Sequence, residues 1–132
     1  MYKVIWLVRF RKDRKREDVL RWWREDHAKL AAATPGMIRY VQSHWTAALH
    51  PDTSLESDVA APFYDGHAEH WFESKESYEA AMASDEWQAT VVDGPEYFDG
   101  ITRIGGALEE YVVSWDSSSD GRVYPEARAA TA

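Results

Sequence analysis

Tyr2-Lys3-Val4-Ile5-Trp6-Leu7-Val8-Arg9-Phe10 is a short run with apolar residues at both parities. Val4, Trp6, Val8 and Phe10 share one side of an extended chain, and Ile5 and Leu7 share the other. Such a run reads as a strand covered on both faces. Outward from it, Glu17 to Ala33 reads as a helix: Glu17 and Asp18 open it, and an alanine run closes it before Thr34-Pro35-Gly36. Met37 to Trp45 reads as a second strand and Gly66 to Glu73 as a third. Ser74 is placed to cap a second helix that runs through Tyr78, Met82 and Trp87. Gly94-Pro95 makes a turn, and Leu108 to Trp115 reads as the fourth strand.

The order β-α-β-β-α-β predicts an α+β fold of the ferredoxin-like kind, two split βαβ units with both helices on one face of a four-stranded sheet. The first strand is apolar on its other face too, so that face needs a cover. A second copy of the chain is the simplest one, which predicts a homodimer with facing sheets, a dimeric α+β barrel. Residues 1–115 form the predicted domain. Residues 116–132, rich in Ser, Gly and Ala, are expected to be a flexible tail or an arm that wraps a partner. The connection from Ala47 to Asp65 has no clear period and is long enough to be functional.

Composition narrows the class. The 132 residues fit one domain, and 45% of them are apolar. Seven tryptophans exceed what packing alone needs and point to a pocket or an interface. A net charge of −8 argues against nucleic acid and anionic membranes as partners. The absence of cysteine excludes disulfides and thiol chemistry. No signal peptide or membrane-length apolar stretch is visible, so a cytoplasmic location is expected.

Four segments carry a family resemblance: Trp23-Arg24-Glu25-Asp26-His27-Ala28-Lys29-Leu30, Pro35-Gly36-Met37-Ile38-Arg39-Tyr40-Val41-Gln42, Gly66-His67-Ala68-Glu69-His70-Trp71-Phe72-Glu73-Ser74 and Asp93-Gly94-Pro95-Glu96-Tyr97-Phe98-Asp99. In this order they resemble the EthD family, over residues 2 to 115. The resemblance implies a dimeric α+β barrel related to muconolactone isomerases and polyketide cyclases. It also implies cofactor-independent isomerase, cyclase, dehydratase or lyase chemistry on aromatic or lactone compounds. His27 and Tyr40 match positions that line the pocket in some members. The chain departs from the family pattern at Lys29, where Pro is frequent, and in the long 47–65 connection. Related barrels bind haem, but no feature of this chain demands it, and no cofactor is expected.

The residues themselves supply the candidate chemistry. Leu20, Trp23, His27 and Leu30 fall on one face of a 3.6-residue helix, which aims an imidazole at an aromatic interior. Burial would keep it neutral, as a general base requires, although a packed structural histidine is the commoner case. Tyr40 is a candidate donor to a developing oxyanion, or else a core aromatic. His67, Glu69 and Trp71 alternate along one strand face, assigned to the barrel interior because Ala68 and Phe72, which share the other face with His70, look like helix-packing residues. There His67 and Glu69 would form an acid–base pair; the opposing reading is an exposed polar edge. Trp6, Trp23, Trp71 and Gln42 are the expected substrate contacts. His67 and His70 lie on opposite strand faces and cannot share an ion without a bulge. A site from His27, His67 and Glu69 has no recognised spacing motif, so no metal is expected. Asp93 and Asp99 flank Gly94-Pro95 and read as shaping that turn, with catalysis by Asp93 the lesser reading. The function expected is an acid–base lyase, isomerase, dehydratase or cyclase on a small aromatic or conjugated carbonyl compound. The alternatives are a non-catalytic hydrophobic-ligand-binding or accessory protein of a monooxygenase system, and a structural dimer module.

Overall fold

The computed structural model describes residues 1–46, 48–49, 56–57, 64–114 and 116. Strand β1 spans Tyr2–Phe10 and is followed by one helical rod in three parts: α1 at Arg16–Trp22, a wide π turn at Trp23–His27, and α2 at Ala28–Ala32. Gly36, at φ 80°, reverses the chain into β2 at Met37–His44. The long connection contributes a two-residue ladder, β3 at Ala48–Leu49 against β4 at Glu56–Ser57. Then come β5 at Gly66–Phe72, α3 at Lys75–Met82, α4 at Asp85–Asp93, a 3₁₀ turn at Gly94–Glu96 and β6 at Phe98–Ala107.

The main sheet runs β2-β5-β1-β6, antiparallel throughout, which is the ferredoxin-like α+β order. Val4, Val8, Ala68 and Phe72 are buried on the helix side with Trp22, Trp23, Tyr78 and Ala81. At the end of β1 the register with β6 shifts between Arg9 and Phe10. Asp65 holds that end: its Oδ2 accepts from Phe10 N–H at 2.7 Å, and its other oxygen pairs with Arg16.

Two sequence expectations are corrected. The second helix is not continuous through Trp87. Ser84 interrupts it, accepts from Trp87 N–H at 3.2 Å, and so starts α4 as Ser74 starts α3. The last strand is Phe98–Ala107, not Leu108 to Trp115. Its register uses β1 from Phe10 back to Tyr2, and Leu108 N–H meets Met1 carbonyl. Beyond that point no strand among the described residues lies beside the chain, and Tyr111, Val112 and Val113 are exposed despite their strand-forming character. Gly105, at φ 135°, fits where an added Cβ would stand 2.1 Å from Lys3 carbonyl, so glycine there permits the pairing that its propensity disfavours. Trp115, the tail beyond Asp116 and most of the 47–65 connection lie outside the described residues.

Candidate functional site

The π turn sets the geometry. Ala28 N–H bonds back to Trp23 carbonyl, one residue further than an α-helix allows. Trp23 and His27 remain buried, 1% and 7% exposed, but the extra residue rotates the turn after them. Leu30 faces outward at 37% exposure, and Ala28, Ala31 and Ala32 take the inner side. The regular 3.6 spacing thus holds as far as His27 and fails after it.

His27 Nδ1 lies 2.9 Å from Asp93 Oδ2, and the same oxygen accepts Trp22 Nε1–H at 3.1 Å. A carboxylate only accepts, so Nδ1–H donates and Nε2 carries the lone pair. Burial pushes the His27 pKa below its ordinary value, while the Asp93 carboxylate opposes that shift. The product is a neutral imidazole with a fixed tautomer.

His27 helps line a cavity of about 720 Å³ between the helices and the sheet, with Trp6, Trp23, Tyr40, His70, Trp87, Phe98 and Arg103 among its walls. Tyr40 hydroxyl accepts from Gln42 Nε2 at 2.7 Å, and Gln42 Nε2 also donates to Trp23 carbonyl at 2.7 Å. One amide thus ties the tyrosine on β2 to the first residue of the π turn and leaves the phenol proton free to donate. Burial raises the Tyr40 pKa, so the phenol stays protonated. Gln42 Oε1 meets His44 Nε2 at 2.8 Å, and the His44 ring stacks on Trp23 at 4.5 Å. Burial, with Arg24 and Arg16 nearby, holds the His44 pKa down to about 4.

The structure brings together His27, Tyr40, Trp6 and Trp23 of the residues singled out from sequence, with Gln42 behind them. It does not bring His67, Glu69 or Trp71 to this cavity. Those three share a strand face, but it is the face turned away from the helices. Glu69 pairs there with Lys3 at 3.1 Å, and His67 Nδ1 accepts Trp45 Nε1–H at 3.2 Å. Trp71 lies beneath Lys3 and Arg39, and its indole N–H reaches Glu110. The expected His67–Glu69 acid–base pair is therefore not formed, and neither residue can act with His27. The cavity is bounded by the helices, so the parity that packs against helices, that of Ala68 and Phe72, is the parity of the site.

That rule adds His70, which the sequence places on the face of Ala68 and Phe72 but weighs only as an ion-sharing partner of His67. Asp93 reads from sequence chiefly as a turn residue, with catalysis the lesser reading; its pairing with His27, 66 positions away, is seen only in three dimensions. Arg103 had no local signal: its Nη1 donates to Tyr78 hydroxyl at 2.9 Å and its guanidinium lies 5.9 Å from the Trp6 ring centroid. Among the described residues, no group of three or more His, Cys, Asp or Glu side chains is placed to hold a metal ion. No helix among them is long and apolar enough to cross a membrane.

The family model of the EthD domain matches residues 11–101. Among solved structures, an EthD family protein from Bacillus halodurans is 20% identical, with a TM-score of 0.64, over 83% of this chain and 100% of that one. An Arabidopsis thaliana protein is 16% identical, with a TM-score of 0.63, over 87% of this chain and 100% of that one. A dimeric ferredoxin-like protein of unknown function from Thermobifida fusca is 17% identical, with a TM-score of 0.59, over 81% of this chain and 90% of that one. At these identities the likeness shows the fold. No curated protein matches the chain.

Proposed function

Because this chain belongs to the EthD family, we propose that its helix-side cavity binds a small, largely apolar carbonyl compound and moves a proton on it by acid–base chemistry. The observation that carries this reading is the His27–Asp93 pair beside an indole-walled cavity that also presents Tyr40. His27 Nε2 takes a proton from the carbon next to the carbonyl. Tyr40 donates its phenol proton as a hydrogen bond to the oxygen on which charge builds. The His27 imidazolium, steadied by Asp93, then returns the proton at the same or a neighbouring position. Isomerisation, dehydration, cyclisation and lyase steps all begin from the enolate so formed. His27 thus takes both proton-transfer roles, since His67 and Glu69 stand on the other face.

The oligomer proposed is a homodimer with the open sheet faces apposed. Among the described residues no helix lies over Ile5, Leu7, Val41 and Ile104 on that face, and structural neighbours from Thermobifida fusca and Bacteroides fragilis are described as dimeric.

Solvent-deuterium exchange tests the chemistry without knowledge of the natural substrate. Small aryl ketones and unsaturated lactones are incubated with the protein in D₂O, and deuterium beside the carbonyl is followed by NMR. Wild type is expected to accelerate exchange and His27→Ala to lose the acceleration. Binding without exchange would favour the alternative, a hydrophobic-ligand carrier or accessory protein, for which the mainly apolar cavity wall speaks.

A further inference from the structure

His70 stands in the middle of β5 on the helix side, 3% exposed, and lines the same cavity as His27 and Tyr40. Its Nδ1 accepts Trp6 Nε1–H at 3.2 Å. An indole N–H only donates, so Nδ1 must hold the lone pair, and the neutral ring carries its proton on Nε2. Burial, and secondarily the charge that nearby His27 takes on when protonated, holds the His70 pKa down to about 3, so the ring stays neutral. Nε2 is buried and meets no hydrogen-bond partner among the described residues. A buried donor left unmet is destabilising, and native proteins rarely keep one without a use. The ring is perpendicular to Tyr40, with centroids 4.5 Å apart, and to Trp87 at 5.7 Å. The Tyr40 oxygen accepts from Gln42, so its proton does not lie along that bond, and it meets no acceptor among the described residues.

We propose that His70 Nε2–H and the Tyr40 hydroxyl form a two-donor site for one ligand oxygen, which selects a carbonyl or enolate oxygen on an apolar body. The inference rests on the reading of the cavity as a carbonyl-binding site and names the group that completes it. A carbonyl oxygen accepts two hydrogen bonds along its lone-pair directions. A ligand of the same shape without that oxygen leaves both donors unmet, and one that offers only N–H groups meets neither. The donors also favour the enolate over the ketone, since charge on the oxygen strengthens both bonds. Trp6 is a positioning residue in this arrangement: its indole fixes the His70 tautomer and touches no ligand oxygen.

The test uses the full chain labelled with ¹⁵N-histidine. Acetophenone and 1-indanone are compared with ethylbenzene and indane, with binding followed by tryptophan fluorescence. Ketone addition is expected to move the His70 Nε2–H proton downfield and leave Nδ1 unprotonated, whereas the hydrocarbons leave the signal in place. In His70→Phe the ketone-to-hydrocarbon affinity ratio is expected to fall about tenfold, and His70→Asn, which retains an N–H, to restore part of it. If the ketones bind with the His70 signal unmoved, the inference is overturned while the carbonyl reading of the cavity survives. Failure of wild type to bind either ketone overturns both. If the variants do not fold, the wild-type Nε2–H signal decides alone.

Discussion

The two faces of the sheet are built from the same strands yet hold opposite chemistry. On the helix-covered face, β5 presents His70, sealed beside Trp6, Tyr40 and Trp87. One residue away on either side, Glu69 and Trp71 look the other way, into a cluster where Lys3 joins Glu69 and Glu110 and lies over the Trp71 ring. Low dielectric on the first face removes charge from imidazoles, and hydration and pairing on the second keep charge in place. Residue type alone therefore says little: His67 and His70 stand three apart on one strand, and only His70 reaches the cavity.

The largest expected difference between the faces is in stability. Phe72, fully buried under the helices, is predicted to lose about 3–5 kcal/mol on replacement by Ala in urea denaturation. Ile104, half exposed on the open face, should lose much less in an isolated subunit. If a second copy covers that face, Ile104→Ala will cost more as protein concentration rises, and sedimentation will show a weakened dimer. A large, concentration-independent loss at Ile104 would break the contrast.

Next comes catalysis. His27→Ala is predicted to reduce deuterium exchange by about 10²-fold or more, whereas Glu69→Gln leaves it unchanged, because only the first lies on the cavity side. Comparable losses in both would mean that the site spans the sheet.

The pH responses sharpen the same division. His44 and His70 have folded-state pKa values of about 4 and about 3, below the ordinary 6.5. The unfolded chain thus binds protons that the native chain refuses. Stability is fully present above about pH 6.5 and declines as pH falls toward those values, by about 1.4 kcal/mol per pH unit for His70 in that window. Denaturation curves from pH 7 to 4 should show a shallower slope in His70→Phe. The Asp93 carboxylate raises the His27 pKa against burial, so Asp93→Asn should lower it further. The acid limb of the exchange profile then moves to lower pH; a move to higher pH would contradict the His27–Asp93 assignment.

The smallest effect belongs to the open-face ion pair. Lys3→Ala is expected to change stability by about 1 kcal/mol or less, because water still reaches both partners.

Much of this architecture was legible in the chain. Apolar residues at both parities of Tyr2 to Phe10 marked a strand that is buried on one face and in need of cover on the other. Ser74 marked a helix start, and Thr34-Pro35-Gly36 a helix end, because capping and left-handed backbone are local requirements that particular residues meet. The last strand was misplaced because Leu108 to Trp115 has the stronger local preference, while Phe98–Ala107 has the partner. Pairing along all of β1 outweighs three glycines. The outward turn of Leu30 was hidden for a related reason: a π turn leaves no mark in hydrophobic spacing until its consequences are seen.

Residue order is enough to give the succession of strands and helices, the companions on each strand face, and the burial of an imidazole at position 27. These come from periods of two and about 3.6 and from the cost of burying polar groups. The helix-packing face of the third strand was legible from Ala68 and Phe72; that the cavity opens on this same face, so that His70 rather than His67 and Glu69 joins His27, came only from the packed fold. The same packing brought Asp93 across the fold to that ring. Parity fixes which side chains are companions, but only the packing of distant segments decides which company is enclosed.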